Sequence, residues 1–155
     1  MKIIKSQQVQ NNSTAVGNGF TSERYLLQND NMGFSFCITR IPAGGPYTWH
    51  YKHHKEACYC ISGMATVKEE NSYEHLITPG DMYVLCHHEK HSFTAIEDTV
   101  LVSVFNPSLT GMEVHDKKNS YPENPMIFQK AKTAFNIAQN DIRTDAIDKI
   151  KKLFL

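Results

Sequence analysis

The sequence predicts an all-β domain, a small sandwich or barrel, followed by a short C-terminal helix. Three observations predict it. Between residues 33 and 107, short runs rich in β-branched and aromatic residues follow one another. Turn-forming clusters separate these runs, and no helical period lies between them. Only the last stretch, "DIRTDAIDKIKKLFL", changes period.

The elements follow in order. "FSFCITRI" (residues 34–41) alternates apolar and polar side chains, as a strand with one buried face must. "PAGGP" then marks a turn. Further strands are expected at 57–61, 65–68, 75–77, 82–85, 92–96 and 100–105. The punctuation between them is "SGM", "NSY", "TPGD", "HHEK" and "EDT". In the final stretch Ile142, Ile147, Ile150 and Leu153 fall near one face of a helix. Lysines crowd its end, as the helix dipole favours. The expected division is one β-domain over residues 1–122 and an extension carrying the helix over 123–155.

Bulk properties exclude several classes. A chain of 155 residues suggests one domain with a real core. Lys plus Arg number 16 and Asp plus Glu number 16, so the net charge of zero argues against a nucleic-acid or anionic-membrane footprint. No apolar run approaches the roughly 20 residues that span a bilayer. The opening "MKIIKSQQVQNN" is too short in its apolar part and too polar for a secretory signal, so a cytoplasmic protein is expected. The cysteines Cys37, Cys58, Cys60 and Cys86 form no C-x-x-C pair and read as reduced, mostly buried thiols.

Two stretches carry chemistry. "HYKHHKEACYC" (residues 50–60) packs histidines, a glutamate and cysteines together. "TPGDMYVLCHHEKHSF" (78–93) runs from a Pro-Gly turn through an apolar strand and a tight turn to His91. The spacing Gly44, His50, Lys52, Glu56, Gly63 resembles the first cupin motif, with Lys52 where a second histidine is usual. A lysine ammonium has no lone pair for a metal, so the usual three-histidine-plus-glutamate set is incomplete. Glu56 and His91 survive, and a further ligand must come from elsewhere. The second stretch resembles the cupin hairpin that aims a histidine into a barrel mouth. The fold class expected is thus a single-domain, jelly-roll-like cupin β-barrel with a short C-terminal helix.

A closer resemblance follows. "GFTSERYLL", "GFSFCITRIPAG", "HYKHHKEACYCISG", "PGDMYVL", "HHEKH" and "VFNPSLTGMEVHD" occur in this order and resemble the successive motifs of ectoine synthases. The likeness runs from about residue 19 to 122. It implies a hydro-lyase that closes N-γ-acetyl-L-2,4-diaminobutyrate into a cyclic amidine with loss of water. It implies Fe(II) held by Glu56, Tyr83 and His91, a donor set that also suits Mn or Zn. It implies substrate contacts from Phe20, Arg24, Cys37, Thr39, Tyr51, Ser103 and Phe105, with Arg24 as carboxylate anchor. Glu113 or His115 would shuttle the amine proton. The partners implied are the small-molecule substrate and a second copy in a homodimer.

The chain departs from that family at Phe20, where Trp is usual, at Cys37, where Asn is usual, and at Ser103, where Cys is usual. Two alternatives stay open on these residues: a related metal cupin acting on another small amino acid or amide, and a non-catalytic ligand-binding cupin. His50, His53 and His54 are expected in surface or supporting positions, His87 and His88 in an exposed turn, and Cys58 and Cys60 in core packing.

Overall fold

A computed structural model of the chain describes residues 1–113, 115, 120 and 121. The helix expected in the final stretch lies outside these residues. A helix α1 (Ser6–Asn12) precedes ten strands. They are β1 (Thr14–Gly17), β2 (Phe20–Leu26), β3 (Ser35–Ile41), β4 (Gly44–Trp49) and β5 (Lys55–Ser62). Then come β6 (Ala65–Glu69), β7 (Glu74–Ile77), β8 (Met82–Leu85), β9 (His91–Ala95) and β10 (Thr99–Asn106).

The strands form a six-stranded sheet, ordered β1-β2-β3-β10-β5-β8, and a four-stranded sheet, ordered β4-β9-β6-β7. The two sheets share no ladder, so the expected barrel is joined by side-chain packing rather than by continuous hydrogen bonding. All seven strands expected in the sequence are present, within two residues at each end. Three strands and α1 were not expected. β4 begins inside "GGP", which reads as a turn; a register shift between Gly44 and Tyr47 absorbs the irregular start. β2 buries Glu23 and Arg24, so it lacks the polar face that marks a strand in sequence.

Period-two alternation aims the core. On β10, Thr99, Leu101, Ser103 and Phe105 face inward. Cys37, Cys58 and Cys60 join them from β3 and β5, while Trp49, Val67, Ile77 and Phe93 come from the smaller sheet. Gly63 closes the turn after β5 at φ +87°, and a Cβ there would sit 2.3 Å from the Asp98 carbonyl oxygen. Only glycine fits both conditions, which explains the last position of the first motif.

Candidate active site

Register builds the site. Arg24 lies opposite Cys37, Cys37 opposite Ser103, Ser103 opposite Cys58, and Cys58 opposite Tyr83. This single row crosses β2, β3, β10, β5 and β8. One step of two residues along the strands, Glu56 lies opposite Phe105. One step the other way, Ser22 lies opposite Thr39, and Thr39 opposite Leu101. Side chains in these rows share the inner face.

Most of them line a narrow cavity between the sheets. Phe20, Thr39, Tyr51, Glu56, Tyr83, Ser103 and Phe105, all expected site residues, lie in its wall. Ser22, Ile41, Trp49, Cys58, Leu101 and Tyr121 complete it and were not expected there. Cys58 was legible as two residues from Glu56 on one strand face, though core packing accounts for it equally well. Trp49 comes from the other sheet, and nothing in the sequence places it. Cys37, fully buried in the same row, is not part of the wall, and burial pushes its thiol up to about 11.

Polar groups form a chain along the floor. Thr39 Oγ1 donates to Ser103 Oγ at 2.9 Å. Ser103 Oγ lies 3.4 Å from Cys58 Sγ, and the Cys58 thiol donates to Glu56 Oε1 at 3.2 Å. Burial raises the Glu56 carboxyl to about 7, against the opposing hydrogen bonds from Cys58 and Ser103. Burial also lifts the Tyr83 phenol well above its usual range.

His91 comes from the opposite sheet, paired with Trp49. Its ring centre is 6.2 Å from that of Tyr83 and 6.4 Å from that of Tyr51. Nδ1 lies 3.4 Å from the Glu89 carbonyl oxygen, while Nε2 is buried with no hydrogen-bond partner. Burial depresses its pKa to about 4, so the ring is neutral and keeps a lone pair. His91 does not line the cavity itself; it borders a cleft with Thr48, Lys90 and Ser92. A divalent cation suits this set: a desolvated carboxyl, a buried phenol and an orphaned imidazole nitrogen are two oxygen donors and one nitrogen donor.

The segment after β10 covers the cavity. His115 Nε2 lies 3.1 Å from Tyr51 Oη, and the His115 ring packs on Phe20 and Tyr121 with centroids 5.0 and 4.8 Å away. Glu113 turns the other way. Its Oε1 accepts from the Thr110 amide and hydroxyl at 2.6 and 2.7 Å, and Oε2 from the Gly111 amide at 2.9 Å. Burial would raise this carboxyl, but the Thr110 and Gly111 hydrogen bonds outweigh it and hold it below its usual range. Arg24 clamps the same segment: Nη1 donates to the Gly111 carbonyl and Nη2 to that of Glu113, both at 2.8 Å. Its Nε is buried without a partner, and its guanidinium carbon lies 5.7 Å from the Tyr121 ring centre. Arg24 is therefore occupied by backbone and is not in the cavity wall.

The histidines sort by geometry. His53 is exposed and His50 half-buried. His54 is buried and its Nδ1 donates to the Pro107 carbonyl at 2.8 Å. His87 is exposed as expected, but His88 is not free in its turn. Its Nδ1 lies 3.0 Å from the Tyr51 carbonyl oxygen and 3.2 Å from that of His54, stapling the β8–β9 turn to the segment that carries Tyr51.

A two-sheet sandwich with a polar floor, a buried carboxyl and an inward histidine defines a cupin. A cupin from Shewanella frigidimarina shares the fold, with a TM-score of 0.51 over 61% of this chain and 81% of that one at 18% identity. The family model described as ectoine synthase matches residues 1–125. An L-ectoine synthase from Marinomonas sp. is 46% identical over 64% of this chain and 78% of its own length. A crystal structure of ectoine synthase from P. lautus superposes with a TM-score of 0.72 and 39% identity, covering 77% of this chain and 87% of that one. The chain belongs to the ectoine synthase family, and it is an enzyme of the hydro-lyase class.

Proposed function

We propose that this enzyme closes N-γ-acetyl-L-2,4-diaminobutyrate to ectoine with loss of water, at a site that holds Fe(II) through Glu56, Tyr83 and His91. The observation that carries the reading is the floor of the cavity, where Glu56 and Tyr83 meet a Thr39–Ser103–Cys58 hydrogen-bond chain beneath an aromatic cover. Zn or Mn would satisfy the same donors. A divalent ion bound there supplies Lewis-acid polarisation of the acetamide carbonyl.

The chain's own residues do the rest. Binding against this wall folds the flexible substrate, bringing amine and carbonyl together. Thr39 and Ser103 offer hydroxyls to the substrate's polar ends. The amine forms the new C–N bond and gives up protons as the carbonyl oxygen leaves as water. The Tyr51–His115 pair is the carrier of that proton: His115 accepts it, and Tyr51 fixes the imidazole by the 3.1 Å contact. Glu113, saturated by its own turn, shapes the loop instead. Phe20, Trp49, Phe105 and Tyr121 keep bulk water away from a step that expels water. Arg24, the carboxylate anchor the family resemblance implies, acts on the substrate through the loop it holds.

The exposed Tyr59, Ile61, Met82 and Val84 on the outer face of β5 and β8 support a homodimer, which light scattering would test. Among the described residues no helix is long and apolar enough to cross a membrane, and the proposed compartment is the cytoplasm.

The test is purified protein with Fe(II) and N-γ-acetyl-L-2,4-diaminobutyrate under anaerobic conditions, with chromatography for the cyclic product. No ectoine from folded, iron-loaded protein would overturn the reading. It would favour another small amide as substrate, as the facing pair Cys37 and Ser103 allows.

A further inference from the structure

The turn between β8 and β9 brings three different metal-binding side chains together outside the cavity. Cys86 Sγ, a His87 ring nitrogen and a Glu89 carboxylate oxygen all lie within 4.8 Å of one another. Among the described residues no other group of three His, Cys, Asp or Glu side chains does so. Cys86 and His87 are exposed and Glu89 half-buried. None of the three has a role in the proposed reaction.

The turn is built to hold this arrangement. His88, at the left-handed φ of +62°, folds the chain back between His87 and Glu89. Its own ring points away, onto the Tyr51 and His54 carbonyls, which leaves the three neighbours on the outer side. The His87 amide donates to Glu89 Oε2 at 2.9 Å and fixes the carboxylate over the turn.

We propose that Cys86, His87 and Glu89 form a second, surface metal site for a borderline divalent cation of the zinc type. One thiolate, one imidazole and one carboxylate are the donors Zn²⁺ takes in tetrahedral sites, and three protein ligands leave one position open. The site is separate from the cavity, yet it shares a hairpin with His91, whose Nδ1 faces the Glu89 carbonyl at 3.4 Å. Occupancy stiffens the turn that positions both His88 and His91.

The test uses metal-free, reduced full-length protein titrated with Co²⁺ and then Zn²⁺, beside Cys86→Ser and the double variant Cys86→Ser/His87→Ala. The expected result is one more tightly bound equivalent in the wild type than in the double variant. A thiolate-to-cobalt charge-transfer band should be present in the wild type and absent in Cys86→Ser. Removing a ligand should weaken the site by at least roughly tenfold, since even outer partners of metal ligands are worth about 10–100-fold. Because the altered residues are exposed or on a turn, melting temperatures of the metal-free variants should match the wild type. Equal stoichiometry in wild type and double variant would overturn the site. So would a charge-transfer band that persists in Cys86→Ser, which would put the thiolate elsewhere.

Discussion

His115 Nε2 sits 3.1 Å from Tyr51 Oη, while Glu113, two residues earlier, spends both carboxylate oxygens on its own turn. One residue of the pair faces the cavity cover and the other faces its own backbone. This separates two side chains that the motif "GMEVHD" left equivalent.

Kinetics should separate them too. His115→Gln should lower kcat by about 10²–10⁴, the usual worth of a positioned acid or base, with little change in melting temperature. Glu113→Gln should do the reverse. It removes charge-assisted hydrogen bonds of about 1.5–3 kcal/mol and loosens the loop, and activity should fall mainly through KM. Equal kcat losses in the two variants would reject this assignment.

Metal content should follow the two-sheet ligand set. Glu56→Ala, Tyr83→Ala and His91→Ala should each lose most bound iron by metal analysis of purified protein. His54→Ala should keep it, because His54 is tied to Pro107 and not to the centre. It should still lower the melting temperature, since it empties a buried position. Full iron occupancy in Tyr83→Ala would remove tyrosine from the set.

The pH dependence has a definite sign. Burial raises Glu56 from 4.5 to about 7, so between those values the folded metal-free protein binds more protons than the unfolded chain. Stability from this group is therefore lost as pH rises through about 7. His91 is depressed from 6.5 to about 4, so its contribution is lost as pH falls from 6.5 toward 4. The two slopes oppose each other over the shared window. From these two groups, stability of the metal-free protein should be nearly level from about pH 4.5 to 6.5, decline between about 6.5 and 7, and level off above that. His91→Ala should expose the Glu56 slope throughout. Metal affinity should rise with pH and its slope should drop by one proton on passing about 7, as Glu56 no longer has to be deprotonated. A slope unchanged across pH 7 would show that Glu56 is not a ligand.

Arg24→Lys should damage the loop before it damages binding. A lysine cannot donate at once to the Gly111 and Glu113 carbonyls, so one buried acceptor is left unpaired. A stability loss of roughly 1.5–3 kcal/mol, with faster proteolytic cleavage after β10, is the expected outcome. A rise in KM of about tenfold or more with unchanged stability would instead make Arg24 a carboxylate anchor alone.

By itself the sequence determined the strand positions from β3 to β10 apart from β4, the cupin spacing, and the ligand candidates Glu56 and His91, while Tyr83 entered only through the family resemblance. Those features rest on local rules: alternation of period two, turn residues, and the motifs quoted. It did not determine β2, because Glu23 and Arg24 are buried there and find their partners far along the chain. Glu23 accepts from Arg40 at 2.9 Å, and Arg24 donates to the loop beyond β10. Nor did it determine β4, whose glycines and proline read as a turn. The row Arg24–Cys37–Ser103–Cys58–Tyr83 belongs to tertiary structure alone. Alternation fixes which face a side chain takes along one strand, but the register between strands is set by turns and by packing against the other sheet. The same physical reason explains Trp49, brought to the cavity by the second sheet, and His115, brought to Tyr51 by a segment that Arg24 holds in place.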